Sequence, residues 1–243
     1  MKNFQQYLIN KYSLIKNIIY LCKISNEIGI NQIISLINLF EKEYGHNQSF
    51  RLGKPVDAFL NPIPWYTYPA IEYLKQFDFS DKNIFEYGSG NSSLFWASLA
   101  KSVTSVEKDA SWFEVISQSR PSNLNIFLQE QKSEYVNFIA NGNILYDLIV
   151  IDGAYRYECA KVVVNYLSDD GFIIVDNSER YPKLCSDIRN NNLIQVDFFG
   201  FGPINYYTWT TSLFFQRKCR LKPLNKLPHF GIGSLCEEFH EEN

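Results

Sequence analysis

The chain has 243 residues, 46% of them hydrophobic and 20% charged, with a net charge of −3. That is enough apolar sequence for one large folded domain with embellishments, and it excludes a disordered chain. No basic block exceeds the short Arg217-Lys218 and Arg220 cluster, so no nucleic-acid partner is expected, and no apolar run approaches the roughly 20 residues that span a bilayer, so no membrane partner is expected.

Residues 1–48 are expected to form a helical extension. Leu14, Ile18, Leu21 and Cys22 share one helical face, and Ile30, Ile33, Ile34, Ile37 and Phe40 share another, with Gly29 between the two helices. Such helices would pack on the main domain or on a partner subunit, as in a homodimer; a substrate lid is the alternative. Lys11, Lys16 and Lys23 interrupt every apolar core here, so no secretory leader is expected. Tyr44 to Ser49 is polar enough for a linker. The main domain then runs over 49–220, with 221–243 as a surface-bound or frayed tail.

Asn61-Pro-Ile-Pro-Trp-Tyr-Thr-Tyr-Pro69 is rich in aromatic rings, and Pro69 suits the first position of a helix reaching Phe77. From there strand and helix alternate. Asn83–Tyr87 and Val103–Glu107 read as buried strands, followed by apolar runs at Asn125–Gln129, Asp147–Ile151 and Gly171–Val175. Helical stretches separate these later runs near 133–140, 155–167 and 181–190. Ile194–Phe199 and Thr210–Gln216 have no helix between them, only a linker with Gly200, Gly202 and Pro203, which suits an antiparallel pair. The fold class expected is α/β: a doubly wound, mostly parallel seven-stranded sheet closed by a C-terminal antiparallel hairpin, with the N-terminal helical extension added. The five cysteines, Cys22, Cys159, Cys185, Cys219 and Cys236, have neither disulfide nor zinc spacing and read as reduced thiols of a cytoplasmic protein.

Two strands end in acids around a short glycine turn. Glu86-Tyr-Gly-Ser-Gly-Asn-Ser-Ser93 opens a helix, and Glu107 follows 21 residues after Glu86. A glycine-rich strand-to-helix turn with an acid about 20 residues on is how a doubly wound sheet holds a nucleoside, the second acid taking ribose hydroxyls. Glu86 selects the ligand. A carboxylate two residues ahead of the first glycine repels a pyrophosphate and attracts an α-amino group, which favours S-adenosylmethionine over a dinucleotide.

These residues resemble the first motif of class I S-adenosylmethionine-dependent methyltransferases, acid-x-Gly-x-Gly-x-Gly. By that resemblance Glu86 lies near the methionine amino group, Gly88 and Gly90 lay their backbone against the methionine moiety, and Glu107 accepts the ribose hydroxyls. Ser92 stands where the third glycine usually sits. Five alternating units closed by a hairpin match the family layout, over roughly residues 65–217. The helix that precedes the first strand covers the cofactor in the family, so Trp65 to Tyr68 would sit near its methionine end; packing into the core is the alternative. Gln129 and Glu130, at the end of the third strand, stand where the family places an adenine contact, although strand ends are commonly polar.

Two further strands end in Ile151-Asp152-Gly153 and Val175-Asp176-Asn177-Ser178. Asp152, Asp176 and Asn177 would converge on one edge of the sheet, as hard oxygen ligands suited to magnesium or another divalent cation. The pattern resembles the metal site of the catechol and caffeoyl-CoA type O-methyltransferases, in which the metal would activate a substrate hydroxyl beside Asp152. Those enzymes carry a lysine shortly after the first aspartate; Arg156 occupies that stretch here and cannot act as a base. Otherwise Asp176 and Asn177 cap the following helix, and Asp152 alone orients the substrate. The expectation is an enzyme that methylates a small-molecule or glycan acceptor, at oxygen. The rivals are a non-catalytic S-adenosylmethionine-binding sensor or scaffold, an aminopropyl transferase, and an NAD-binding oxidoreductase on a similar fold.

Overall fold

The computed structural model describes residues 29–118, 120–227 and 229–234, together with Lys16, Asn17 and Tyr20. The face expected from Leu14, Ile18, Leu21 and Cys22 lies outside the described residues, as does Cys236. Cys159, Cys185 and Cys219 are free thiols. Among the described residues no helix is long and apolar enough to cross a membrane.

Seven strands form one sheet: β1 (Asn83–Tyr87), β2 (Ser102–Glu107), β3 (Leu124–Leu128), β4 (Tyr146–Ile151), β5 (Leu167–Asp176), β6 (Ile194–Gly200) and β7 (Trp209–Phe215). Their order is β3-β2-β1-β4-β5-β7-β6. The first five are parallel, and β7 pairs antiparallel with both β5 and β6. This is the doubly wound sheet with a closing antiparallel hairpin that the sequence predicts.

The helices are α1 (Ile30–Asn38), α2 (His46–Leu52), α3 (Tyr68–Leu74), α4 (Asn91–Leu99), α5 (Ala110–Ser117), α6 (Lys132–Asn137), α7 (Arg156–Val163) and α8 (Pro182–Arg189). Two apolar cores result, one on each face of the sheet. Trp96, Leu74, Ile84 and Leu148 belong to one, and Phe85, Tyr135, Ile149 and Ile173 to the other. Central strands covered on both sides need apolar residues at every position, and Leu148 to Ile151 are all buried.

Tyr44–Ser49, expected to be a linker, instead leads into α2. Tyr44 and Phe40 pack on the main core, and Tyr44 donates a hydrogen bond to Glu72 at 2.6 Å. Along α1 the shared apolar face is largely exposed at Ile30, Ile34 and Ile37. The tail is fastened to α3 and the turn after it: the Asp78 N–H donates to the Lys222 carbonyl at 2.8 Å and the Ile232 N–H to Glu72 at 2.8 Å.

Candidate active site

The crossovers reverse direction between β1 and β4, and a cavity of about 400 Å³ opens at the C-terminal ends of the strands there. This is where a doubly wound sheet binds its ligands. Ser89, Gly90 and Ser92 of the glycine turn border one end. Asp152, Arg156, Asp176 and Asn177 border the other, with Trp65, Trp112 and Tyr207 as aromatic walls.

The turn is shaped by close backbone contact. Gly88 has φ 98°, a conformation only glycine adopts without strain, and a Cβ there would stand 3.0 Å from the Gly153 Cα. The fit is tighter from the opposite side, where a Cβ on Gly153 would lie 2.1 Å from the Tyr135 hydroxyl and 2.6 Å from the Gly88 nitrogen. Gly153 and Tyr135 were not singled out by sequence; the only signal was a glycine directly after an acid at a strand tip.

Glu107 fastens the turn. Its Oε2 accepts from the Ser89 N–H at 2.8 Å and the Ser89 hydroxyl at 3.1 Å, and its Oε1 accepts from the N–H groups of Lys108 and Asp109. Glu86 lies under the turn, 1% exposed. Its Oε2 accepts from the hydroxyls of Ser93 and Ser105, while Oε1 has no hydrogen-bond partner. Burial raises its pKa to about 7, against the lowering effect of the hydroxyls of Ser92, Ser93 and Ser105, of which Ser92 is near the carboxyl without making a hydrogen bond of good geometry. Gln129 and Glu130 do not border the cavity; the Gln129 N–H donates to the Glu107 carbonyl at 2.7 Å, and Glu130 is exposed.

The segment Trp65–Tyr68 divides between the two roles expected of it. Trp65 borders the cavity, while Tyr66 and Tyr68 are buried. Tyr66 is fully buried, and burial, with the charges of Glu86, Asp152 and Asp176, holds its phenol well above the usual tyrosine range. It therefore remains a neutral hydroxyl among three acids.

At the second end the structure corrects the sequence reading. Asp176 caps no helix. Its Oδ1 accepts from Trp209 Nε1 at 3.1 Å and from the Thr211 hydroxyl at 2.6 Å, both on β7. Thr211 also accepts the Thr67 N–H at 3.0 Å, which ties the aromatic segment to this strand. Asp152 Oδ1 is paired with Arg156 at 2.8 Å, and Asn177 turns the chain in a left-handed conformation with φ 50°. Burial pushes both carboxyls up. Arg156 opposes the rise at Asp152, and the charge of Asp152 adds to it at Asp176. The expected magnesium ligands do come to one place, but their donor set does not fit a metal. Both Oδ1 atoms are already engaged by N–H or O–H donors, and a guanidinium supplies positive charge beside them. Among the described residues no cluster of three or more His, Cys, Asp or Glu side chains could hold an ion.

The residues do fit the adenosyl cofactor. The unpartnered Glu86 Oε1 lies beneath a turn that borders a cavity of suitable size, and the positive end of α4 starts at Asn91 on that border.

No known family model and no curated protein matches the chain in sequence. Several solved structures are similar. A precorrin-6y C5,15-methyltransferase from Geobacter metallireducens is 11% identical over 60% of this chain and 86% of its own, with a TM-score of 0.47. An rRNA methylase from Streptococcus thermophilus is 14% identical over 57% and 89%, TM-score 0.44. Spermidine synthase from Thermotoga maritima is 16% identical over 56% of this chain and TM-score 0.44; this chain spans about half of that one, 53%. With every TM-score below 0.5, these likenesses assign neither a reaction nor an acceptor to this chain.

Proposed function

We propose that this protein transfers the methyl group of S-adenosylmethionine to an oxygen of a small-molecule acceptor, with sugars and other hydroxylated metabolites as the class. The observation that carries the reading is the buried Glu86 carboxylate, one oxygen without a partner, under a Gly88–Gly90 turn at the switch point of the sheet. An α-amino cation is the group that would complete its pairing.

Glu86, Gly88, Gly90 and Glu107 would hold the cofactor; Gln129 and Glu130, away from the cavity, would meet its adenine only where that ring extends past the cavity along the strand tips. Bound there, S-adenosylmethionine supplies a methyl group on a sulfonium that is already a strong leaving group. The chain's own work is to align and desolvate the nucleophile. Asp152, at the cavity and kept beside Arg156, would accept the hydroxyl proton of the acceptor. Asp176, higher in pKa, would stay protonated next to it, since two facing carboxylates do not both ionise. Trp65, Trp112 and Tyr207 offer flat apolar faces of the kind that pack on sugar rings.

Calorimetric titration with S-adenosylhomocysteine and NAD tests the cofactor, and release of labelled methyl into a pool of hydroxylated metabolites tests the reaction. Binding of S-adenosylhomocysteine and not NAD is expected. NAD binding alone refutes the reading, and cofactor binding with no transfer to any acceptor points to a sensor.

A further inference from the structure

Where the resemblance implies a divalent cation, the structure has Arg156. Its Nη2 donates to the Asp152 carbonyl at 2.9 Å and to Asp152 Oδ1 at 2.8 Å, its Nη1 to the Asp176 carbonyl at 2.6 Å, and its Nε to the Gly153 carbonyl at 3.0 Å. Four of the five N–H donors of an arginine are thereby used on the tips of β4 and β5. The side chain is 12% exposed, and its guanidinium lies 5.2 Å from the centre of the Tyr181 ring. It is reached through Tyr155, whose φ of 52° is unfavourable for an aromatic residue and persists where the surroundings over-determine it.

We propose that Arg156 takes the part that a divalent cation plays in the metal-dependent O-methyltransferases: one fixed positive charge that joins the two strand tips and faces Asp152 and Asp176. The proposal deepens the reading of this cavity as an acceptor site, on which it rests. An ion shared by Asp152 and Asp176 would meet Oδ1 atoms that already accept hydrogen bonds and, above all, would stand beside a positive charge that cannot be neutralised.

The test uses the full chain with Mn²⁺ as the probe, read by water-proton relaxation. Wild-type protein should show no tight Mn²⁺ site, and its melting temperature should be the same in chelator and in magnesium. Arg156→Gln removes the charge and retains hydrogen-bonding capacity; it should gain Mn²⁺ affinity by roughly tenfold or more, because the two carboxyl groups beside the Asn177 amide then lack the guanidinium as their counter-charge. Adding Asp176→Asn should remove that gain. A wild-type Mn²⁺ site that Asp152→Asn abolishes overturns the proposal, and so does a folded Arg156→Gln protein that binds Mn²⁺ no better than wild type. If Arg156→Gln does not fold, Arg156→Lys keeps the charge and should bind no Mn²⁺; binding by that variant also overturns it. S-adenosylhomocysteine titrated into the same samples reads the other end of the cavity. Its failure to bind wild type defeats the methyltransferase reading and leaves the Mn²⁺ result standing; its binding alongside a wild-type Mn²⁺ site defeats only the role given to Arg156.

Discussion

At the tips of β1 and β2 the cavity is shaped mainly by main chain: Gly88 against Gly153, Glu107 on the Ser89, Lys108 and Asp109 amides, and Glu86 under Ser93. At the tips of β4 and β5 it is shaped by side chains: Trp209 and Thr211 of β7 on Asp176, and Arg156 across both strands. The first end is a turn with a fixed conformation, which under the proposed function would present backbone to a ligand of constant shape. The second is a set of charges balanced against one another, open to change one partner at a time. A fold that hosts many chemistries would be expected to divide in this way, with constancy at the cofactor and variation at the acceptor.

The contact between the two ends is where the comparison can be broken most severely. Gly153→Ala puts a methyl group 2.1 Å from the Tyr135 hydroxyl and 2.6 Å from the Gly88 nitrogen, and backbone cannot retreat as a side chain can. The expected cost is about 3 kcal/mol or more, seen as a large fall in melting temperature together with loss of S-adenosylhomocysteine binding. A variant as stable as wild type would mean that the two turns are not in contact.

Glu86 gives the next effect, through pH. Its pKa is raised to about 7 in the folded protein from 4.5, so between those values the folded state holds a proton that the unfolded state has released. Stability should therefore fall as pH rises from about 4.5 through 7 and then level off, by an amount on the order of 3 kcal/mol in total. Glu86→Gln should flatten that slope in chemical denaturation. S-adenosylhomocysteine, with its cationic amino group, should bind more tightly as pH rises through 7, and the variant should lose this dependence. An unchanged slope in the variant would assign the titration to another group.

Glu107→Ala is expected to act at the cofactor end alone. It removes a charged acceptor worth about 1.5–3 kcal/mol per bond, hence roughly a ten- to hundredfold weaker binding of S-adenosylhomocysteine. Ser89 sharpens the point, because its hydroxyl occupies a Glu107 lone pair that a ribose hydroxyl would need. Ser89→Ala should bind at least as well as wild type. Weaker binding by that variant would show that the hydroxyl belongs to the cofactor site itself.

Legibility in the sequence followed the same division. The strands and their order could be read from apolar runs punctuated by turns, because a sheet covered on both faces requires such runs. The glycine turn and its two acids were visible because they fall within one continuous strand–turn–helix–strand stretch, whereas Gly153 and Tyr135, which back the turn from elsewhere in the chain, were not. Asp152 and Asp176 were also visible as strand tips, yet their partners were not. Nothing in Trp209-Thr-Thr211 marks it as the donor pair for an acid on the neighbouring strand until β5 and β7 are paired, and that pairing sets Asp176 opposite Thr211. Arg156 stands in sequence only as a residue that cannot act as a base, and its length and planar fork show their use once the two strand tips lie side by side. Helix α2 was missed because seven polar-rich residues after a glycine have too little apolar periodicity to distinguish them from a linker.

The smallest expected effect separates the two ends most cleanly. Trp209→Phe keeps the ring that packs beside Tyr207 and removes only the N–H that Asp176 Oδ1 accepts at 3.1 Å. The Thr211 hydroxyl at 2.6 Å remains on the same oxygen, so the acid is not stranded, and the loss should be about 1 kcal/mol, as for one ordinary hydrogen bond. With one donor fewer, the ionised form of Asp176 is less favoured still, and its proton is held more firmly beside Asp152. Methyl transfer should then change in its pH dependence while S-adenosylhomocysteine binds as in wild type, since no cofactor residue is touched. A large loss of cofactor affinity in this variant would show that the β7 network reaches the glycine turn, by way of Thr211, Thr67 and the buried Tyr66, and that the two ends of the cavity are one unit.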